Sequence, residues 1–291
     1  MTARPKQIVI DKSAFIALTG AKFDILCDFS KHHLLLLPDA LLYECVTAKR
    51  QKPLDLLRKY QHLATAGAYY CSMSRGFIEW EAWYCRPYPD DVRDLKRTKT
   101  MIGGSTWVND VCNSGIADRS LHSRLGFAER MLVGLSETLG RRVHSECPEV
   151  AREVKKLPAD RSARLCKWLA GIDRLDIHAM ALESIPLGWI RVRREFCLSC
   201  EWMTWQYIRL LAAVAQDYYY LRETGGIPGA EGPEHDYQDV ECVLLLSRAD
   251  GVITTDKRLV EPLARVAFPE KRVFSSLEEV PESYRCDGVD R

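Results

Sequence analysis

The chain has 291 residues, of which 47% are hydrophobic and 28% charged, with 41 Lys+Arg set against 40 Asp+Glu. Such a length supports one large domain or two modest ones with a substantial core, and 17 Gly and 13 Pro exclude a collagen-like or wholly disordered chain. A net charge of +1 sets up no global basic field, and no apolar run is long enough to span a bilayer.

The first apolar run, Ile8-Val9-Ile10, stops at Asp11 and Lys12, so it reads as a short buried strand rather than a signal peptide. Ala14 to Leu18 and Phe23 to Phe29 predict a short helix and a second helical stretch with Gly20 between them. Leu34 to Leu37 predicts another strand, ended by Pro38. Asp39 then stands where an N-cap belongs, opening a helix over Ala40 to Cys45. Strand, helices, strand and helix in 47 residues make an α/β beginning.

From 48 to 224 the rhythm changes and helical spacing dominates. Lys49–Leu63, Ser123–Leu139, Glu149–Leu169 (broken at Pro158) and Trp202–Leu221 predict helices, the last with Trp205, Ile208, Ala212, Ala215 and Tyr219 along one side. Ala68–Cys71 and Trp189–Val192 are both candidates for a third strand. A Gly- and Pro-rich connector over 225–235 returns the chain to α/β patterning. There Asp236–Ser247 predicts a helix, Gly251–Ile253 a strand, Lys257–Phe268 a helix containing Pro262, and Val273–Phe274 a last strand before a short helix from Ser275 or Ser276. The expected fold class is α/β: a three-layer core on a parallel sheet, formed by 1–47 and 236–291 and interrupted by a large, mostly helical region.

The cancelling charges are unevenly spread. Residues 1–47 carry 5 basic and 5 acidic side chains, 48–230 carry 28 against 21, and 231–291 carry 8 against 14. Eleven cysteines scattered from Cys27 to Cys286 read as reduced thiols of a soluble cytoplasmic protein. Cys197 and Cys200 have zinc-knuckle spacing but no second C-x-x-C pair, and a structural zinc needs about four ligands. The seven histidines form no H-E-x-x-H pattern, and neither Cys147 nor Cys166 has a convincing catalytic partner.

Four acids carry the chemistry. In an open parallel sheet, ligands bind outside the carboxyl ends of the strands. Asp11 follows one strand and Asp256 another. Glu44 lies in the helix after the second strand, and Asp239 near the start of the helix before the Gly251–Ile253 strand. Crowded carboxylates raise one another's pKa unless a cation is present. Mg²⁺ or Mn²⁺ resolves that crowding with oxygen ligands, lowers the pKa of water and neutralises phosphoryl charge. Ser13 and Thr254 are placed to support these acids by hydrogen bonding. The chemistry favoured is phosphodiester hydrolysis.

Four segments carry a resemblance: Ile8-Val9-Ile10-Asp11-Lys12-Ser13-Ala14-Phe15, Leu37-Pro38-Asp39-Ala40-Leu41-Leu42-Tyr43-Glu44, His235-Asp236-Tyr237-Gln238-Asp239, and Ala249-Asp250-Gly251-Val252-Ile253-Thr254-Thr255-Asp256-Lys257-Arg258-Leu259. In order and strand-end placement they resemble the PIN domains, metal-dependent nucleases that include toxin-type ribonucleases. The resemblance covers about a third of the chain and departs from a small PIN domain in the long middle region. It implies a metal-dependent endoribonuclease in which Asp11, Glu44, Asp239 and Asp256 are catalytic and hold Mg²⁺ or Mn²⁺. Asp236 is an additional or substitute ligand, and Ser13 and Thr254 match the family's supporting hydroxyls.

Positive charge beside aromatic residues marks Arg93, Lys96, Arg97 and Lys99, and Arg191, Arg193 and Arg194, as candidate contacts to single-stranded RNA; the competing expectation is a solvated helix face. Six of the seven tryptophans lie between Trp80 and Trp202 and are expected as core anchors. Two further readings stand beside the nuclease: a non-catalytic scaffold whose helical region binds protein or RNA, and a toxin neutralised by an antitoxin partner.

Overall fold

The apolar run before Asp11 forms β1 (Gln7–Ile10), and the leucines before Asp39 form β2 (Leu34–Pro38). They are joined by β3 (Tyr69–Cys71), β4 (Gly251–Ile253) and β5 (Arg272–Phe274) in one sheet of order β3-β2-β1-β4-β5, with every pairing parallel. The computed structural model describes residues 4–47, 53–72, 74–103, 106–113, 148–154, 160–173, 198–223 and 232–286, with isolated positions between 138 and 156. Of the two candidates for a third strand, the tyrosine pair supplies β3. Trp189–Val192 lies outside the described residues, as does most of Ser123–Leu139.

The described helices, in chain order, begin with α1 (Lys12–Ala17), α2 (Ala21–His32), α3 (Asp39–Thr47) and α4 (Pro53–Ala66). They continue with α5 (Ser74–Tyr84), α6 (Leu95–Gly103), α7 (Trp107–Asn113) and α8 (Pro148–Val154). The last four are α9 (Arg161–Ile172), α10 (Met203–Glu223), α11 (Gly232–Leu244) and α12 (Val260–Ala267). Because successive strand side chains point to opposite faces, each strand feeds two cores. Ile8, Ile10, Leu35, Leu37, Tyr70 and Ile253 face the layer that includes α2, α4 and α7. Val9, Leu36, Cys71 and Val252 face the layer built on α9, α10, α11 and α12. Each Leu or Ile so buried contributes about 1.5–3 kcal/mol relative to exposure, which fixes the sheet between two helical layers.

Several elements differ from expectation. α11 already includes Gly232, ahead of Asp236. Pro262 sits in the first turn of α12, where its missing N–H has no partner to lose. α10 has no single apolar side: Met203, Leu210, Leu211, Ala213 and Val214 are as buried as Ile208, Ala212 and Ala215. That is the pattern of a central helix covered all round, here by α5, α9 and α11. The expected helix after Ser276 is a single 3₁₀ turn, Leu277–Glu279. Gly251 is required by close approach, since a Cβ there would lie 2.7 Å from the Phe274 ring and 3.0 Å from the Arg272 carbonyl oxygen. Of the tryptophans, Trp168 and Trp202 are core anchors, whereas Trp83 is exposed. Among the described residues, no helix is long and apolar enough to cross a membrane.

Candidate active site

From β1 the chain first builds β2 and β3 on one side, then crosses to β4 and β5 on the other. The crevice between the carboxyl ends of β1 and β4 is therefore the topological switch point, the place where doubly wound sheets bind ligands. The last paired residues there are Ile10 and Ile253. One step further along each strand stand Asp11 and Thr254.

Asp11 is fixed by its surroundings. Its backbone N–H donates to the Ile253 carbonyl at 3.0 Å, which continues the ladder. Its Oδ2 accepts the Ser13 hydroxyl at 2.5 Å, the Thr254 hydroxyl at 2.9 Å and the Ser13 backbone N–H at 3.1 Å. The carboxylate thus caps α1 while facing the crevice. The Thr254 hydroxyl also accepts the Asp256 N–H at 3.0 Å, so one threonine ties the first acid to the last. Asp256 turns its Oδ1 onto the N–H groups of Arg258 (2.5 Å) and Leu259 (3.1 Å).

Glu44, from α3, and Asp239, from α11, are buried like Asp11, and Asp256 is half-buried. Burial raises the pKa of Asp11; the Glu44 charge adds to this, and the Ser13 and Thr254 hydrogen bonds oppose it. Asp239 is raised well above the usual carboxylate range, first by burial and then by the charges of Asp11, Asp256 and Glu44, with Arg258 acting against them. Asp239 therefore feels the charges of the other three acids named from sequence, and Asp11 that of Glu44. Cys242, one turn along α11, is pushed up by burial and by the same four charges.

Two basic residues that sequence reasoning missed enter the site. Lys12 Nζ donates to Glu44 Oε1 at 2.8 Å. Arg258 donates through Nη2 to Asp239 Oδ2 at 2.8 Å and through Nη1 to Asp236. Both follow a site acid closely in the chain, Lys12 directly after Asp11 and Arg258 two residues after Asp256. That proximity was the available signal. Asp236, one turn into α11, accepts from Arg258 and from Arg161 Nη2 at 2.8 Å. Arg161 continues to Asp217 (3.1 Å), whose other oxygen takes Arg164 Nε at 2.6 Å. A chain of charges thus runs from the crevice into α9 and α10.

Four carboxylates and two hydroxyls with no soft ligand make a donor set for a hard divalent cation. Among the described residues, no three His, Cys, Asp or Glu side chains are gathered as a metal cage. The side chains of Glu44 and Asp239 are turned to Lys12 and Arg258 instead.

The candidate RNA contacts fall into three groups. Lys96, Arg97 and Lys99 are exposed on α6. Arg97 donates to the Tyr70 hydroxyl (2.7 Å), which in turn donates to Asp39 at the carboxyl end of β2 (2.6 Å), giving the expected capping acid a tertiary partner. Arg93 is held by Asp91 through two bonds of 2.8 and 2.7 Å. Arg191, Arg193 and Arg194 lie outside the described residues, as does Cys197, while Cys200 is an exposed free thiol. Comparison of the chain with protein-family models, with curated proteins and with solved structures finds no match.

Proposed function

We propose that the chain is a metal-dependent endoribonuclease of the PIN-like kind, hydrolysing RNA phosphodiester bonds in the crevice between β1 and β4. The observation that carries this reading is the placement of Asp11 at the switch point of the sheet, tied through Thr254 to Asp256, with the buried Asp239 raised by the charges of Asp11, Asp256 and Glu44. Like charges crowded in a buried site call for a cation, and the donors suit Mg²⁺ or Mn²⁺.

These four acids would hold the ion, which supplies charge neutralisation at the phosphoryl oxygens and a lowered pKa for the attacking water. Ser13 and Thr254 orient Asp11 by holding Oδ2, and Thr254 fixes the turn that presents Asp256. Lys96, Arg97 and Lys99 present positive charge to the phosphates of a single RNA strand. Water adds at phosphorus, the P–O ester bond breaks, and the leaving oxygen takes up a proton.

Purified protein should cleave single-stranded RNA with Mn²⁺ and stop with EDTA, and Asp11→Asn should lose at least about a hundredfold in rate. Undiminished cleavage by Asp11→Asn overturns the site assignment. One observation favours a second reading, a non-catalytic scaffold for a protein or RNA partner: Lys12 and Arg258 already neutralise Glu44 and Asp239. Absence of metal-dependent cleavage together with a stable stoichiometric complex, with an antitoxin for example, would select it.

A further inference from the structure

Beside the crevice, along α1, opens a cleft of about 210 Å³ that the four acids do not line. Thr255 belongs to its wall, and the Thr255 N–H donates to Ser13 Oγ at 2.9 Å. The same Ser13 hydroxyl holds Asp11 Oδ2. The cleft wall is therefore joined to the first acid of the site through two hydrogen bonds that share the Ser13 hydroxyl. Its apolar surface comes from Ala17, Leu18 and Ile25, and its polar rim includes Lys22 and Glu278. Ile25 is 54% exposed, an apolar side chain left in water on α2 beside a concave surface.

We infer that this cleft seats the nucleoside adjacent to the scissile phosphate. The inference rests on the nuclease reading and adds a substrate subsite to it. Four properties select this occupant. The volume lies below the range of about 300–1,000 Å³ typical of drug-sized ligands, so it takes the base of a single nucleoside rather than a stretch of chain. Aliphatic walls cover the faces of a base, while Thr255 and Glu278 offer a hydroxyl and a carboxylate to its polar edge or to the sugar. Lys22 adds a positive charge at the rim for the next phosphate. Continuity with Asp11 through Ser13 puts the cleft beside the acids rather than elsewhere on the surface.

The test uses the full chain and two substitutions at exposed positions, Ala17→Phe, which fills the cleft, and Ile25→Asp, which places a charge on its wall. AMP and UMP are titrated calorimetrically in EDTA, and cleavage of an RNA oligonucleotide is followed with Mn²⁺. Both variants should unfold at the wild-type temperature and bind Mn²⁺ as the wild type does. They should lose about tenfold in nucleotide affinity, equivalent to 1.4 kcal/mol, and raise KM by a similar factor while kcat stays within about twofold. Wild-type affinity and KM in both folded variants overturns the subsite, as does failure of the wild-type protein to bind either nucleotide. Asp11-dependent cleavage with KM untouched by both variants leaves the nuclease and removes the cleft. Nucleotide binding that the variants abolish, without any cleavage, keeps the cleft and removes the nuclease. A protein partner that protects Ile25 while nucleotides do not bind assigns the surface to that partner instead.

Discussion

Arg258 and Asp239 are bonded across the crevice at 2.8 Å, and the same guanidinium reaches Asp236, three residues earlier on α11. Residues three apart share a helix face, so one arginine spans both acids. Its backbone N–H is meanwhile held by Asp256. Arg258 is thus the internal counter-ion of the acid cluster. With Lys12 it neutralises charge in the place where the proposed function requires a divalent ion.

Replacing that counter-ion should have opposite consequences with and without metal. Breaking a buried ion pair costs about 3–5 kcal/mol, but Arg258 is 34% exposed. Arg258→Gln should therefore destabilise the metal-free protein by about 1–2 kcal/mol. Added Mn²⁺ should narrow that gap, because the variant offers the ion carboxylates with one fewer competing cation. Urea unfolding with and without Mn²⁺ measures both; a gap that Mn²⁺ leaves unchanged counts against competition at this site.

The raised acids also set a pH dependence. Burial and neighbouring carboxylates raise Asp11 and Asp239 above their unfolded values, and burial raises Glu241, which accepts the Ser74 N–H at 2.7 Å, to about 7. In the window between ordinary and raised values the folded chain binds more protons than the unfolded one. The stability they contribute is fully present below the ordinary carboxylate range. It is lost as pH rises through the raised values, for Glu241 through about 7. Metal-free protein should therefore become less stable from pH 5 to pH 8, and Asp239→Asn and Glu241→Gln should each flatten that slope. Thermal unfolding across pH is the check; a slope identical in both variants contradicts the assignment.

A second buried acid has a purely architectural part. Glu81 is fully buried and accepts the N–H groups of Tyr88, Met203 and Thr204 at 2.8–2.9 Å and the Thr204 hydroxyl at 2.6 Å. It caps the positive end of α10, the central helix of its layer. Glu81→Ala leaves these donors buried and unpaired and should cost about 3–5 kcal/mol. Denaturant unfolding with a loss below about 1 kcal/mol would show the donors finding other partners.

Legibility in the sequence followed the range of the interactions. β1, β2 and β4 are continuous apolar runs ended by a polar residue or proline, so local pattern sufficed, and it also put Asp11 and Asp256 at strand ends. Ser13 and Thr254 were readable because they lie two residues from those acids. The helix expected from Asp236 already includes Gly232, so Asp236 lies inside α11 rather than at its start. The Arg161–Asp217–Arg164 relay gave no local sign, since its partners lie more than fifty residues apart. Glu81 gave none: apart from the Tyr88 N–H, its donors arrive from α10, over a hundred residues away.

The most direct test of the account is a crystal soaked in Mn²⁺ and measured at the manganese edge. The account predicts an anomalous peak between β1 and β4, about 2.0–2.3 Å from carboxylate oxygens of Asp11 and at least one of Glu44, Asp239 and Asp256. In that crystal Arg258 or Lys12 should be displaced from its carboxylate. A crevice without a peak, with Lys12 still on Glu44 and Arg258 still on Asp239, would contradict it.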